Sequence, residues 1–126
     1  MAELTKIEIG KSGESSATKY LRGLGWRIVI RNYRSRFCEL DIVAEEPTLP
    51  EPTLCFVEVK TRRSRAYGSP ASAVDLRKQE KIRLATALYL QEFHPDCEPP
   101  PCRYDVVEVE IDAQDNRKIT LLRAAF

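Results

Sequence analysis

Cys38-Glu39-Leu40-Asp41-Ile42-Val43-Ala44 and, ten residues on, Leu54-Cys55-Phe56-Val57-Glu58-Val59-Lys60 carry charges at alternate positions inside apolar runs. Side chains of a strand point to opposite faces in turn. Glu39 and Asp41 therefore share a face, and so do Glu58 and Lys60. Cys38, Leu40, Ile42 and Ala44 form the apolar side of the first segment, and Cys55, Val57 and Val59 that of the second. On the second segment's other side Leu54 and Phe56 give way to Glu58 and Lys60, so an apolar face turns polar partway along. Paired through the 45–53 turn, the two strands would lie about 5 Å apart. Their charged ends then meet, and a cation can bridge Asp41 and Glu58.

The connecting stretch holds Pro47, Pro50 and Pro52. Proline lacks the amide that a ladder needs, which makes this an exposed, irregular hairpin loop. Upstream, residues 12–24 read as a helix, with Ser12 as N-cap and Ala17, Leu21 and Leu24 at helical spacing; Gly23 and Gly25 bracket its end. Three residues before Ala17 on the same stripe stands Glu14. An acid there either complements the helix dipole or turns a carboxylate toward the core side, and its place on the stripe favours the second. Trp26 to Tyr33 reads as a first strand, with Trp26, Ile28 and Ile30 on one side. Downstream, a basic loop around Tyr67 leads to a helix from about Pro70 to Phe93, marked by Val74, Ile82, Ala85, Leu88 and Tyr89. Lys78, four residues from both Val74 and Ile82, falls on the inward stripe within reach of the acids, although snorkelling of its stem is the commoner explanation of an isolated lysine. Strands over 104–111 and 118–122 close the chain. Three strands joined by short turns start antiparallel, and a crossover through the long helix brings a later strand in parallel. The expected fold is α/β, a central mixed sheet flanked by helices, as one domain over 1–126.

The chain's 126 residues, 43% apolar and 31% charged, suit one soluble domain large enough to need no disulfide. No apolar run approaches the ~20 residues that cross a bilayer, and the first residues lack a secretion signal, so a cytoplasmic location is expected. Cys38 and Cys55 fall on apolar strand faces as core thiols. Cys97 and Cys102, with His94, match no common zinc-finger spacing, and the loop reads as a reduced surface segment. Net charge is only +1 but polarised: residues 60–83 carry eight basic and two acidic side chains, residues 84–126 four basic and eight acidic. A basic run is often a solvated helix face. Here it begins beside the acids, where Arg62, Arg63, Arg65, Lys78 and Lys81 can hold a nucleic-acid backbone, with Tyr67 placed to stack on a base.

The ordered set Gly13-Glu14, Ala17, Tyr20-Leu21, Asn32-Tyr33-Arg34, Glu39-Leu40-Asp41-Ile42-Val43-Ala44, Phe56-Val57-Glu58-Val59-Lys60-Thr61-Arg62, Gly68, Lys78 and Tyr104-Asp105-Val106-Val107 spans nearly the whole chain. It resembles the bacterial YraN family of predicted nucleases, which is similar to archaeal Holliday junction resolvases and belongs to the PD-(D/E)xK superfamily. The resemblance implies a restriction-endonuclease-like fold, Asp41 as the metal-binding aspartate, Glu58 and Lys60 as the polar members of the Glu-x-Lys element, and Glu14 as the first helix's acid. The family usually has glycine where this chain has Cys38, so backbone freedom there differs.

Phosphodiester hydrolysis needs an activated water and charge neutralisation at phosphorus, which carboxylate-bound magnesium or manganese supplies. Asp41 and Glu58 are the expected ligands. Glu14 or Glu39 would hold a second ion or orient water, and Lys60 would hold the attacking water or steady developing charge. The expected function is a metal-dependent endonuclease acting on branched or distorted DNA, the substrate resting on the resemblance. The rival is a non-catalytic nucleic-acid-binding module that keeps the fold. A two-fold dimer would suit a symmetric junction, but no apolar surface stripe identifies its interface.

Overall fold

A computed structural model describes residues 5–63, 74–96 and 98–126. Two helices, α1 (Lys6–Gly23) and α2 (Leu76–Phe93), enclose a sheet of β1 (Arg27–Arg34), β2 (Glu39–Glu46), β3 (Thr53–Arg63), β4 (Cys102–Ile111) and β5 (Arg117–Leu122). The strands lie in chain order, antiparallel except for the parallel β3–β4 pair. The crossover through α2 is what makes that pair parallel. This is the expected mixed-sheet α/β architecture of the restriction-endonuclease-like kind.

Each face of the sheet carries its own core. Ala17 and Leu21 of α1 pack with Trp26, Ile42, Ala44, Cys55, Val57, Val107 and Val109 on one side. On the other, Ile82, Ala85 and Tyr89 of α2 pack with Val43, Leu54, Phe56 and Val106. Tyr89 holds this second core through edge-on contacts to Tyr33 and Phe56, at 5.3 and 5.7 Å between ring centres. Cys55 is buried and reduced, as expected for a core thiol, and Cys38 packs partly buried against the α2-side core.

Four local readings change. The first helix begins at Lys6, not residue 12: Thr5 caps it, accepting from the Glu8 amide while the Glu8 carboxylate accepts from the Thr5 amide. Ser12 is interior, and Glu14 lies far from the first turn, which removes the dipole explanation for that acid. The second helix starts after Asp75, whose carboxylate caps the Lys78 amide, so Val74 belongs to the preceding segment although it is buried in the same core. A bulge at Val29 breaks the alternation of β1: Ile28 packs on the α1 side, but Ile30 joins the α2 side. On β2, Cys38 and Leu40 likewise pack with the α2-side core while Ile42 and Ala44 face α1, the change falling where β2 loses its β3 partner.

The end of α1 keeps the expected signal. Gly25 has φ +91°, its amide bonds the Arg22 carbonyl, and the Trp26 amide bonds that of Leu21. Trp26 thereby turns back onto Leu21 in the core, a Schellman ending that aims the chain into β1. The proline-bearing loop is exposed, with Leu49 almost wholly in solvent. No helix among the described residues is long and apolar enough to cross a membrane.

Candidate active site

The β2–β3 ladder runs from Glu46 opposite Thr53 to Ile42 opposite Val57 and stops. One step further, the register sets Asp41 opposite Glu58. The strands part there because Asp41 Oδ2, rather than a backbone carbonyl, accepts the Val59 amide at 2.9 Å. Beyond the gap β3 continues to Arg63 paired with β4 alone. A strand amide is satisfied by a side chain, and two carboxylates come together where the sheet opens.

Both acids sit in surroundings that disfavour their charge. Glu58 is 7% exposed. Burial first, then the Asp41 charge, pushes its pKa up to about 8, against the pull of Lys78 and Lys60. Asp41 is likewise raised, chiefly by burial, while the Val59 amide and a hydrogen bond with Glu58 act in the opposite direction. The pair thus tends to share a proton. The Lys60 and Lys78 ammonium groups stand 3.9 and 3.8 Å from the same oxygen, Glu58 Oε1. Lys78 is therefore directed to the acids and not merely snorkelling.

Glu14 reaches the site from α1. It is half-buried, and its pKa is raised by burial and then by Asp41. Gly13 makes this approach possible: a Cβ added there would lie 1.8 Å from Thr61 Oγ1, so only glycine lets α1 come this close to β3. An interior helical glycine costs roughly 1 kcal/mol relative to alanine, which is the sequence signal for such a close approach. Glu39 is exposed at the start of β2, 3.8 Å from Arg34. Asn32 was not singled out among the site residues, yet its amide nitrogen, in the orientation that two neighbouring carboxylates require, donates to Glu14 Oε1 at 2.8 Å and Glu39 Oε1 at 2.6 Å.

A cleft of about 580 Å³ brings Glu14, Asp41 and Glu58 together with Lys6, Thr61 and Arg63. Among the proposed phosphate-holding residues, Arg63 thus lines the acidic cleft itself, and Lys81 is exposed on α2, three residues from Lys78. Arg62 instead reaches Glu108 of β4 at 2.6 Å, so a phosphate would compete with that carboxylate for it. Arg65, Tyr67 and Gly68 lie outside the described residues, as does Cys97. Cys102 is exposed, with its thiol directed to the Pro100 carbonyl.

Among the described residues no three His, Cys, Asp or Glu side chains are gathered closely enough to enclose a metal ion by themselves. A half-buried Asp41 facing a buried Glu58 nevertheless fits a hard cation. Magnesium is commonly held by one or two carboxylates, keeps several waters and takes further oxygens from a phosphate substrate. The donor set here is all oxygen, with cleft space beside it for the rest of the shell.

The description of the uncharacterised protein family UPF0102, which is the YraN family, matches residues 13–109. A UPF0102 protein of Symbiobacterium thermophilum is 42% identical over 118 residues, covering 94% of this chain and 95% of that one. One of Chlorobium limicola is 43% identical over 111 residues, 88% and 81% of the two chains. One of Rhodococcus opacus is 40% identical over 120 residues, 95% and 97% of the two.

Proposed function

We propose that this chain, which belongs to the UPF0102 family, is a magnesium- or manganese-dependent endonuclease that hydrolyses phosphodiester bonds in DNA. One observation carries the reading: Asp41 and Glu58 are brought together at the point where two central strands separate, with two lysine ammonium groups within 4 Å of Glu58. A sheet held together for stability alone has no use for a carboxylate set against a buried carboxylate at a break in its ladder.

In this reading Asp41 and Glu58 would hold the cation, with Glu14 available from α1. When bound, a divalent cation neutralises phosphate charge and makes water a nucleophile at neutral pH. The chain's own groups do the remainder. Asp41, anchored by the Val59 amide, cannot swing away from Glu58. Lys60 stands on the same face as Glu58, where its ammonium can orient a water or steady negative charge growing on the phosphoryl oxygens. Lys78 does the same from the α2 side. Arg63 and Lys6, lining the same cleft, would hold the flanking phosphates, so binding should weaken with salt.

The basic groups of the same cleft, Lys6 and Arg63, also suit a second reading, a DNA-binding module that cleaves nothing. A panel of single-stranded, duplex, flap and four-way DNA, with and without magnesium or manganese, separates the two. The nuclease reading expects metal-dependent cleavage of at least one form, lost by about 10³-fold or more in Asp41→Ala while salt-sensitive DNA binding persists. Binding without cleavage under every condition leaves the module.

A further inference from the structure

Asn32 lies inside strand β1, yet its φ is +55°, a left-handed conformation uncommon for any residue but glycine. Its flanking residues keep the ladder, Arg31 opposite Ile42 and Tyr33 opposite Leu40, which places Asn32 opposite Asp41. Asn32, Asp41 and Glu58 therefore form one row across β1, β2 and β3. Neither the ladder nor a turn requires that backbone twist. What it does is bring the side-chain amide to Glu14 Oε1 on α1 and to Glu39 Oε1 on β2. A primary amide has two N–H donors, and each carboxylate takes one. Arg31 adds to the hold: its guanidinium stands 4.0 Å from the same Glu14 oxygen, and its Nε is buried with no hydrogen-bond partner.

We propose that Asn32 is a positioning residue: its amide ties Glu14 to Glu39 and so holds the Glu14 carboxylate at the cleft it shares with Asp41 and Glu58, where it contributes to holding a divalent cation. The helix α1, which shares no ladder with the sheet, is thereby joined to the paired strands β1 and β2 through one amide. Without it, two carboxylates beside Asp41 would repel each other and Glu14 would turn toward solvent. Left-handed backbone is held in place only when the surroundings demand it, and such positions gather at functional sites. Asparagine tolerates that conformation better than other side chains and carries the two donors, which accounts for the residue type.

The inference rests on the nuclease reading, and its test uses metal binding without DNA as well as cleavage. Asn32→Gly keeps the left-handed backbone and removes only the amide. Asn32→Ala removes the amide and strains the backbone. Calorimetric titration of the metal-free proteins with manganese, beside melting temperatures, should find Asn32→Gly close to wild type in stability but about tenfold weaker for manganese, the size typical of losing a ligand's supporting hydrogen bond. Half-saturation of cleavage by magnesium should rise by the same factor, with the rate at saturating metal much less affected. Glu14→Gln should weaken manganese binding in the wild type yet add little in Asn32→Gly, because the two act through one carboxylate. A purely structural Asn32 would give additive losses, or lower stability with unchanged affinity, and either overturns the proposal. Manganese binding by a wild type that cleaves no DNA removes the nuclease reading and leaves the positioning role standing. A wild type that binds no manganese removes both.

Discussion

The two ends of β2 each carry a half-buried acid, and they are treated in opposite ways. At one end Glu46 receives Arg103 at 2.7 Å and Arg123 at 2.8 Å. Arg103 also grips the fully buried Asp105 through Nε and Nη2, at 2.8 and 2.9 Å, and the Ala124 amide completes that carboxylate's shell. Both guanidinium groups lie 5.7 Å from the Trp26 ring, so the cluster pins the C-terminal segment to the end of α1. The Glu46 pKa is drawn down, most of all by its bond to Arg123. At the other end Asp41 meets Glu58, another acid, with lysines standing off near 4 Å, and burial drives both pKa values up. Guanidinium forks satisfy carboxylates within the chain. A carboxylate facing a carboxylate remains short of positive charge, which is the state an external cation would relieve.

The contrast can be broken by substitution at either end. The largest effect is expected at Asp105. Asp105→Ala leaves Arg103 partly buried without its main partner, and breaking a buried pair costs about 3–5 kcal/mol. The melting temperature should fall by more than about 10 °C. Manganese affinity and the cleavage rate of the folded fraction should not change, and a loss of metal affinity in the folded protein would mean that the two ends are one functional unit.

Next in size is the response to pH. The folded-state pKa of Glu58 is raised from 4.5 to about 8, so the metal-free fold binds a proton that the unfolded chain releases near pH 4.5. The stability tied to that proton is complete below pH 4.5 and is lost as pH rises through 8. Linkage gives a fall on the order of 2 kcal/mol between pH 6 and pH 8. The melting temperature of metal-free protein should drop over this window, and saturating magnesium should flatten the slope, because the cation takes the proton's place. A flat metal-free profile would make the Asp41–Glu58 end resemble the Glu46 end after all.

The same contrast explains what could be read from the sequence. Alternation located β2 and β3, because Leu40, Ile42 and Ala44 of β2 are all buried and β3 buries both faces over Leu54–Val57, and the placement of Asp41, Glu58 and Lys60 followed from counting by twos. Lys78 was legible for a similar reason, since helical spacing from Ile82 places it inward whether the helix begins at residue 70 or at 76. Counting failed where the backbone departs from its period. The bulge at Val29 sent Ile30 to the opposite face, and the left-handed turn at Asn32 hid a residue that joins two of the site's acids. Ser12 was mistaken for a cap because the stretch before it, Lys6-Ile7-Glu8-Ile9-Gly10, has weak helical pattern, whereas Thr5 and Glu8 cap each other through bonds that no periodicity records. Arg103 and Asp105 sit two apart on one strand face, an arrangement visible in the sequence, but their partners Glu46 and Arg123 come from distant segments and need the topology.

The finest distinction concerns sign. Asp41→Asn keeps an oxygen to accept the Val59 amide, so the break in the ladder should retain its geometry. It also removes the Asp41 charge that, after burial, opposes ionisation of Glu58, and the new amide nitrogen can donate to Glu58. Relief of that opposition should stabilise the metal-free protein by about 1 kcal/mol, which for a chain of this size raises the melting temperature by roughly 3–5 °C. The same substitution should abolish metal-dependent cleavage, trading activity for stability as residues kept for function do. In the cluster around Glu46, Asp105→Asn breaks the bidentate grip of Arg103, so it should only destabilise. Opposite signs for two Asp→Asn changes, on β2 and β4 of one sheet, can be read in paired thermal melts. If Asp41→Asn lowers the melting temperature as Asp105→Asn does, the acid pair is part of the scaffold and the proposed active site loses its physical basis.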